Sequence, residues 1–126
     1  MRRVAANDGT QTDHRIESTG PGELAGHERN FKRARHSHDF DGVVCPGGWA
    51  PDYIRRSEAA IKFVAGISAQ NRLVCAICHG PWVLCSADVI RGRKVTCFFA
   101  VKTDVINAGG IYEDSEVVVD GHIVTS

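Results

Sequence analysis

One passage constrains the fold more than any other: the apolar run Leu73-Val74-Cys75-Ala76-Ile77 stops at Cys78-His79-Gly80-Pro81, and a helix-like stretch follows. A strand that ends at a reactive side chain and turns at once into a helix reads as a nucleophile elbow, which requires a sheet with helices packed against it. The turn aims the first free amides of the helix at the thiol. A cysteine so placed can have its pKa lowered from about 8.5 toward roughly 3.5 to 7.5. Cys78 is therefore the expected nucleophile. Free cysteine also serves often as a small core hydrophobe. Cys75 and Cys78 further make the Cys-x-x-Cys spacing of zinc and redox sites. Along a strand, however, those two positions point to opposite faces, and no second ligand pair accompanies them. No metal and no cofactor is expected.

The remaining length bounds the answer. The 126 residues allow one modest domain, and 15 basic against 15 acidic residues leave no net charge to draw a nucleic acid. Five cysteines are an odd number for a disulfide framework, and no apolar stretch approaches the roughly 20 residues of a membrane span. No signal-peptide pattern opens the chain, so a reducing cytoplasm is the expected setting.

Two halves differ in character. Residues 1–38 hold four of the six histidines, many charges and only scattered apolar positions, and read as an atypical, irregular segment. Its basic cluster Lys32, Arg33, Arg35 reads as a solvated charge run. Residues 39–126 alternate strand and helix patterns. A strand over residues 41–45 closes in Pro46-Gly47-Gly48, one helix spans 52–70 behind Pro51, and the strand at 73–77 leads into a helix over 79–89. A strand at 94–99 and a short helix at 101–108 precede a hairpin of 116–119 and 122–125 around Asp120-Gly121. The pattern is α/β with a mainly parallel sheet, and ligands are expected at the strand C-terminal ends. There the Gly48 amide is placed to pair with the His79 amide and hold an oxyanion beside Cys78, with Gly47 beside it as a further substrate-binding position where the backbone can approach closely. Trp49 and Trp82 flank this pocket in sequence and read as packing residues, while Cys45, Cys75, Cys85 and Cys97 read as inert structural thiols.

Several ordered motifs together resemble one family: Cys45-Pro46-Gly47-Gly48-Trp49-Ala50-Pro51-Asp52-Tyr53-Ile54-Arg55, Ala76-Ile77-Cys78-His79-Gly80-Pro81, Ser86-Ala87-Asp88-Val89-Ile90-Arg91-Gly92-Arg93-Lys94, Asp104-Val105-Ile106-Asn107-Ala108-Gly109 and Glu116-Val117-Val118-Val119-Asp120-Gly121. Over residues 39–126 the chain resembles the ThiJ/PfpI superfamily, and within it the PfpI branch of intracellular cysteine proteases and protein deglycases. The resemblance implies a flavodoxin-like sandwich related to class I glutamine amidotransferases, assembled as dimers or hexamers. It puts the nucleophile at Cys78, its histidine at His79, and that histidine's acidic partner at Asp52, reaching in from a neighbouring subunit. Many relatives carry the longer glutamate at the position of Asp52. Taken by itself, Asp52 reads as a helix N-terminal charge.

Against that family both ends of the chain are abbreviated: residues 1–38 show no opening strand and no counterpart to the family's glutamate beside the nucleophile, and no closing helix follows Thr125-Ser126. The reading that follows is a stress-protective hydrolase acting on peptides or on glyoxal- and methylglyoxal-modified Cys, Lys and Arg side chains. In it the Cys78 thiolate attacks, His79 shuttles the proton, and the Gly48 and His79 amides receive the negative charge. A redox sensor working through Cys78 oxidation, without turnover, and an inactive truncated relative are the alternatives.

Overall fold

Strand residues decide where everything else sits. The computed structural model describes the backbone of residues 3–6 and all of residues 36–126. A five-stranded sheet takes strands β1 (Arg3–Ala6), β2 (Phe40–Cys45), β3 (Leu73–Ala76), β7 (Ile123–Thr125) and β6 (Val118–Asp120) in that spatial order. The first four run parallel, and β6 returns antiparallel to β7 through the Asp120-Gly121 turn. Strands β4 (Lys94–Val95) and β5 (Ile111–Tyr112) form a separate parallel pair.

Burial alternates along β3, β7 and the C-terminal half of β2 with the two-residue period of the pleat. Val43 and Cys45 of β2, Val74 and Ala76 of β3, and Ile123 and Thr125 of β7 are buried. All but Thr125 pack with Val64, Ile67, Val83, Leu84, Val101 and Val105 from the helices and turns into one core. The opposite face presents Val44, Cys75, Val124 and Val119 in a single register row, half-exposed to exposed. Among the described residues, β2, β3 and β7 advance in one direction, so the right-handed crossovers between them fall on the same side and cover that face.

Among the described residues, four helices supply that cover: α1 (Ala50–Ile54), α2 (Glu58–Ala69), α3 (Pro81–Ser86) and α4 (Lys102–Asn107). The expected single helix over 52–70 is corrected to α1 and α2. Ser57 leaves the helix, adopts an extended backbone and accepts the Ala60 amide as an N-cap, so the second helix starts afresh. Ala60, Val64 and Ile67 then fall on one helical face against the core. The expected helix over 79–89 shortens to Pro81–Ser86, because Asp88 takes a left-handed backbone, φ 52°, and ends it. The expected strand over 94–99 keeps only Lys94–Val95.

Residues 1–38 need correction at one place. Arg3–Ala6 is a strand, paired with β2 in the register Val4↔Gly42, Ala5↔Val43, Ala6↔Val44. Four residues are too few for alternation to show in sequence, and the ladder with β2 supplies the order that local pattern lacks. At the far end of the segment Ser37–Asp39 form a single 3-10 turn; the rest of the irregular reading and the cluster Lys32, Arg33, Arg35 lie outside the described residues. Among the described residues no helix is long and apolar enough to cross a membrane.

Candidate active site

Cys78 stands two residues beyond the C-terminal end of β3, in a turn that only a few bonds make possible. Its φ is 59°, in the left-handed region, where a non-glycine residue stores on the order of 1–3 kcal/mol. Both sides of its peptide are held. Its N–H donates to the Ser126 carbonyl at 2.7 Å, and its own carbonyl accepts from the Phe98 N–H at 2.9 Å. The Ile77 N–H donates to the Cys45 carbonyl at 3.2 Å, and the Gly80 N–H closes back on the Ile77 carbonyl at 2.7 Å. Strand ends from β2, β7 and the segment after β4 therefore fix one strained residue.

Two glycines let the chain pass this point. A Cβ at Gly47 would stand 2.7 Å from the Cys78 Cβ and 3.4 Å from its Sγ, and one at Gly80 would stand 2.4 Å from the Cys45 carbonyl oxygen. The Pro46-Gly47-Gly48 turn thus lies directly against the thiol. Gly48 has φ +62° and open space around its Cβ position. Among the described residues neither the Gly48 nor the His79 amide donates to another group. The first-turn amides of α3 are otherwise engaged: Pro81 has none, Trp82 N–H donates to His79 O at 3.0 Å and Val83 N–H to Gly80 O at 2.9 Å. The helix begins later than the sequence pattern suggests, and its terminus does not supply the amides expected at the thiol.

His79 Nδ1 lies 3.2 Å from Cys78 Sγ. Its ring sits between two others, with Phe98 stacked at a centroid distance of 4.8 Å and an interplanar angle of 29°, and Trp82 edge-on at 5.4 Å. The Trp82 indole N–H donates to Asp104 Oδ2 at 2.7 Å, across from α3 to α4. The Arg55 guanidinium lies over the same indole, 5.4 Å from its centroid, and its Nε donates to Ser86 Oγ at 2.8 Å. Phe98, Asp104 and Arg55 were not singled out by sequence reasoning, and Trp82 entered only as a flanking packing residue. The one available signal was that Phe98 and Phe99 follow an apolar run that also ends at the sheet's C-terminal edge.

Asp52 is placed differently. It lies in the first turn of α1, with its side chain half in solvent, and pairs with Arg56 one turn on at 2.5 Å. Within the chain it is not brought to Cys78 or His79, and among the described residues nothing hydrogen-bonds the His79 Nε2.

The other thiols are held in the protonated form. Burial pushes Cys45 up to about 12, aided by its neighbour Cys75, and burial together with the Asp104 charge pushes Cys85 up to about 11. Cys75 and Cys97 are raised for the same first reason. His122, just before β7, is half-buried, with Nε2 2.8 Å from Ser68 Oγ of α2.

A family model described as the DJ-1/PfpI family matches residues 12–126. Deglycase PH1704 of Pyrococcus horikoshii is 47% identical over 88 residues, which make up 70% of this chain and 53% of the relative. Protein/nucleic acid deglycase 2 of Escherichia coli is 47% identical over 89 residues, 70% of this chain and 52% of the relative. The chain thus spans about half the length of the curated relatives it matches. Among solved structures, a two-domain protein with DJ-1/ThiJ/PfpI-like and ferritin-like domains from Anabaena variabilis superposes with a TM-score of 0.73 at 45% identity, over 76% of this chain and 27% of that one.

Proposed function

Because the chain belongs to the DJ-1/PfpI family, we propose that it is a cysteine-dependent hydrolase of glycated proteins or peptides, with Cys78 as nucleophile and His79 as proton carrier. The observation that carries this reading is the Cys78 thiol held in a left-handed turn, 3.2 Å from His79 Nδ1, with the Gly47-Gly48 turn against it. The sulfur adds to an electrophilic carbonyl carbon, and the π electron pair moves to the oxygen, which the Gly48 and His79 amides receive. On a peptide the tetrahedral intermediate collapses as His79 delivers the thiol proton to the amine, and water hydrolyses the thioester. On a dicarbonyl adduct the sulfur replaces the amine or thiol at the carbinol carbon, and that group leaves with the proton from His79. A proton then moves from that carbon to the adjacent carbonyl carbon through an enediol, oxidising the first carbon as it reduces the second, and water releases the hydroxy acid from the resulting thioester. Early methylglyoxal and glyoxal adducts fit because they present such a carbonyl on a Lys, Arg or Cys side chain. The deglycase names of its relatives favour them over plain peptides.

Asp52 joins the site in this reading from a second subunit of a dimer or hexamer, accepting from His79 Nε2 and fixing the ring's tautomer. Its exposure, its single i,i+4 partner and the open Nε2 support that placement. A reducing compartment such as the cytoplasm suits five unpaired thiols.

The test is release of free amine and hydroxy acid from methylglyoxal-treated peptides, followed by mass spectrometry. Cys78→Ser should lose turnover by at least about 100-fold and His79→Ala by a similar factor, the size expected for removing a nucleophile or its proton carrier. Full turnover by Cys78→Ser would overturn the reading. For the interface, mixed oligomers of Cys78→Ser and Asp52→Asn subunits should regain part of the activity that either lacks alone; no recovery would remove Asp52 from the site.

A further inference from the structure

We propose that Phe98 and Trp82, the latter tethered by Asp104, form an aromatic clamp that holds the His79 ring with Nδ1 on the Cys78 thiol; the inference rests on the catalytic reading of that pair. A histidine directly after its nucleophile has two side-chain torsions free to carry it elsewhere, and a proton carrier works only within hydrogen-bond reach. His79 is half-exposed. Its orientation must come from neighbours rather than from burial.

Each jaw of the clamp is fixed independently. Phe98 is tied to the nucleophile itself, because its N–H donates to the Cys78 carbonyl, so the ring stacked on His79 moves with the turn. Trp82 is aimed by its indole N–H bond to Asp104 and covered on its face by Arg55, which Ser86 holds in place. Elements α1, α3 and α4 therefore converge on one half-exposed indole whose edge contact is the His79 ring. Burial of apolar area alone needs no such tether. When His79 takes up the thiol proton, the stacked Phe98 face also favours the resulting cation. Asp104 and Trp82 touch no reacting atom and act as positioning residues.

The experiment compares Trp82→Phe, which keeps a ring but loses the tether, with Asp104→Ala, Asp104→Asn and Phe98→Leu in the full chain. The readouts are kcat and KM on the methylglyoxal-treated peptide, the pH profile of Cys78 alkylation by iodoacetamide, and thermal unfolding to show that each variant is folded. Loss of one aromatic contact corresponds to about a 2- to 10-fold change. Trp82→Phe and Asp104→Ala should lower kcat by about that factor, leave KM within about twofold, and alter the alkylation profile. Asp104→Asn, whose amide oxygen still accepts the indole N–H, should restore wild-type behaviour. Phe98→Leu should shift the profile most, because it removes the stacked face.

Folded Trp82→Phe and Asp104→Ala with wild-type profiles and kcat would overturn the clamp, even while Cys78→Ser is inactive. Alkylation needs no turnover, so it reads the clamp on its own. If Cys78→Ser keeps full activity, the catalytic reading fails first and the clamp falls with it.

Discussion

Gly47, Gly48 and Gly80 look alike in the sequence and are asked for three different things. At Gly80 a methyl group would collide with backbone, 2.4 Å from the Cys45 carbonyl, so Gly80→Ala should cost on the order of 1–3 kcal/mol by overpacking. At Gly47 the collision is with Cys78, and Gly47→Ala should disturb thiol alkylation more than stability. Gly48→Ala meets nothing and bears only the left-handed backbone, roughly 1–2 kcal/mol. Urea unfolding and alkylation rates on the three variants check this ordering. The sequence made Cys78, His79 and the glycine turn legible because a strand stopping at a cysteine is a local pattern. Phe98, Asp104 and Arg55 stayed hidden because their contacts join separate elements, and no local period encodes which ring will meet which.

At the scale of elements, the crossover between β2 and β3 shows where reading by period ends. The apolar positions Tyr53, Ile54, Ala60, Ile61, Val64 and Ile67 run through the break between α1 and α2 with nearly helical spacing. Only the cap reveals the interruption. Removing it with Ser57→Ala should cost about 1 kcal/mol, visible as a lower urea midpoint at unchanged slope. The stretch after β4 makes the same point with hydrogen bonds. The Thr96 N–H donates to Thr125 Oγ1 at 2.8 Å, its hydroxyl donates to the Ser115 carbonyl at 2.9 Å, and the Phe98 N–H goes to Cys78. An apolar run that reads as a long strand thus leaves its ladder after two residues, because β7 and the Cys78 turn offer better-placed acceptors. The hairpin of β6 and β7 was legible at its turn, since Asp-Gly is a local requirement of the backbone.

For the molecule as a whole, His122 couples stability to pH. It joins β7 to α2 through Ser68, and burial, then the Arg93 charge, hold its pKa below the ordinary 6.5, with Asp120 opposing. The unfolded chain therefore binds a proton first as pH falls. Its contribution is complete above about 6.5 and is lost as pH drops below that value toward the folded one. Melting temperatures from pH 8 to 5 should fall for the wild type, and less steeply for His122→Gln, which can still bond Ser68. A second, more acidic loss belongs to Asp120, held low by the Lys94 N–H and by Arg93; it sets in as pH falls into the ordinary carboxylate range, where the unfolded chain takes up the proton first, and is complete below the folded value. The α/β architecture from residue 39 onward was legible in the sequence, apart from the break between α1 and α2 and the two-residue strand β5, which the sequence pattern does not announce. Strand β1 was not, for its order comes from β2.

The two main-chain bonds at Cys78 also set a sequence of events in time. During synthesis Cys78 leaves the ribosome before Phe98, and well before Ser126, the two residues that close its peptide on either side. Contacts between distant parts of a chain form after local ones. The turn at Cys78 can therefore lock only once β7 has docked, and a chain interrupted before it carries the thiol without the bonds that hold its peptide.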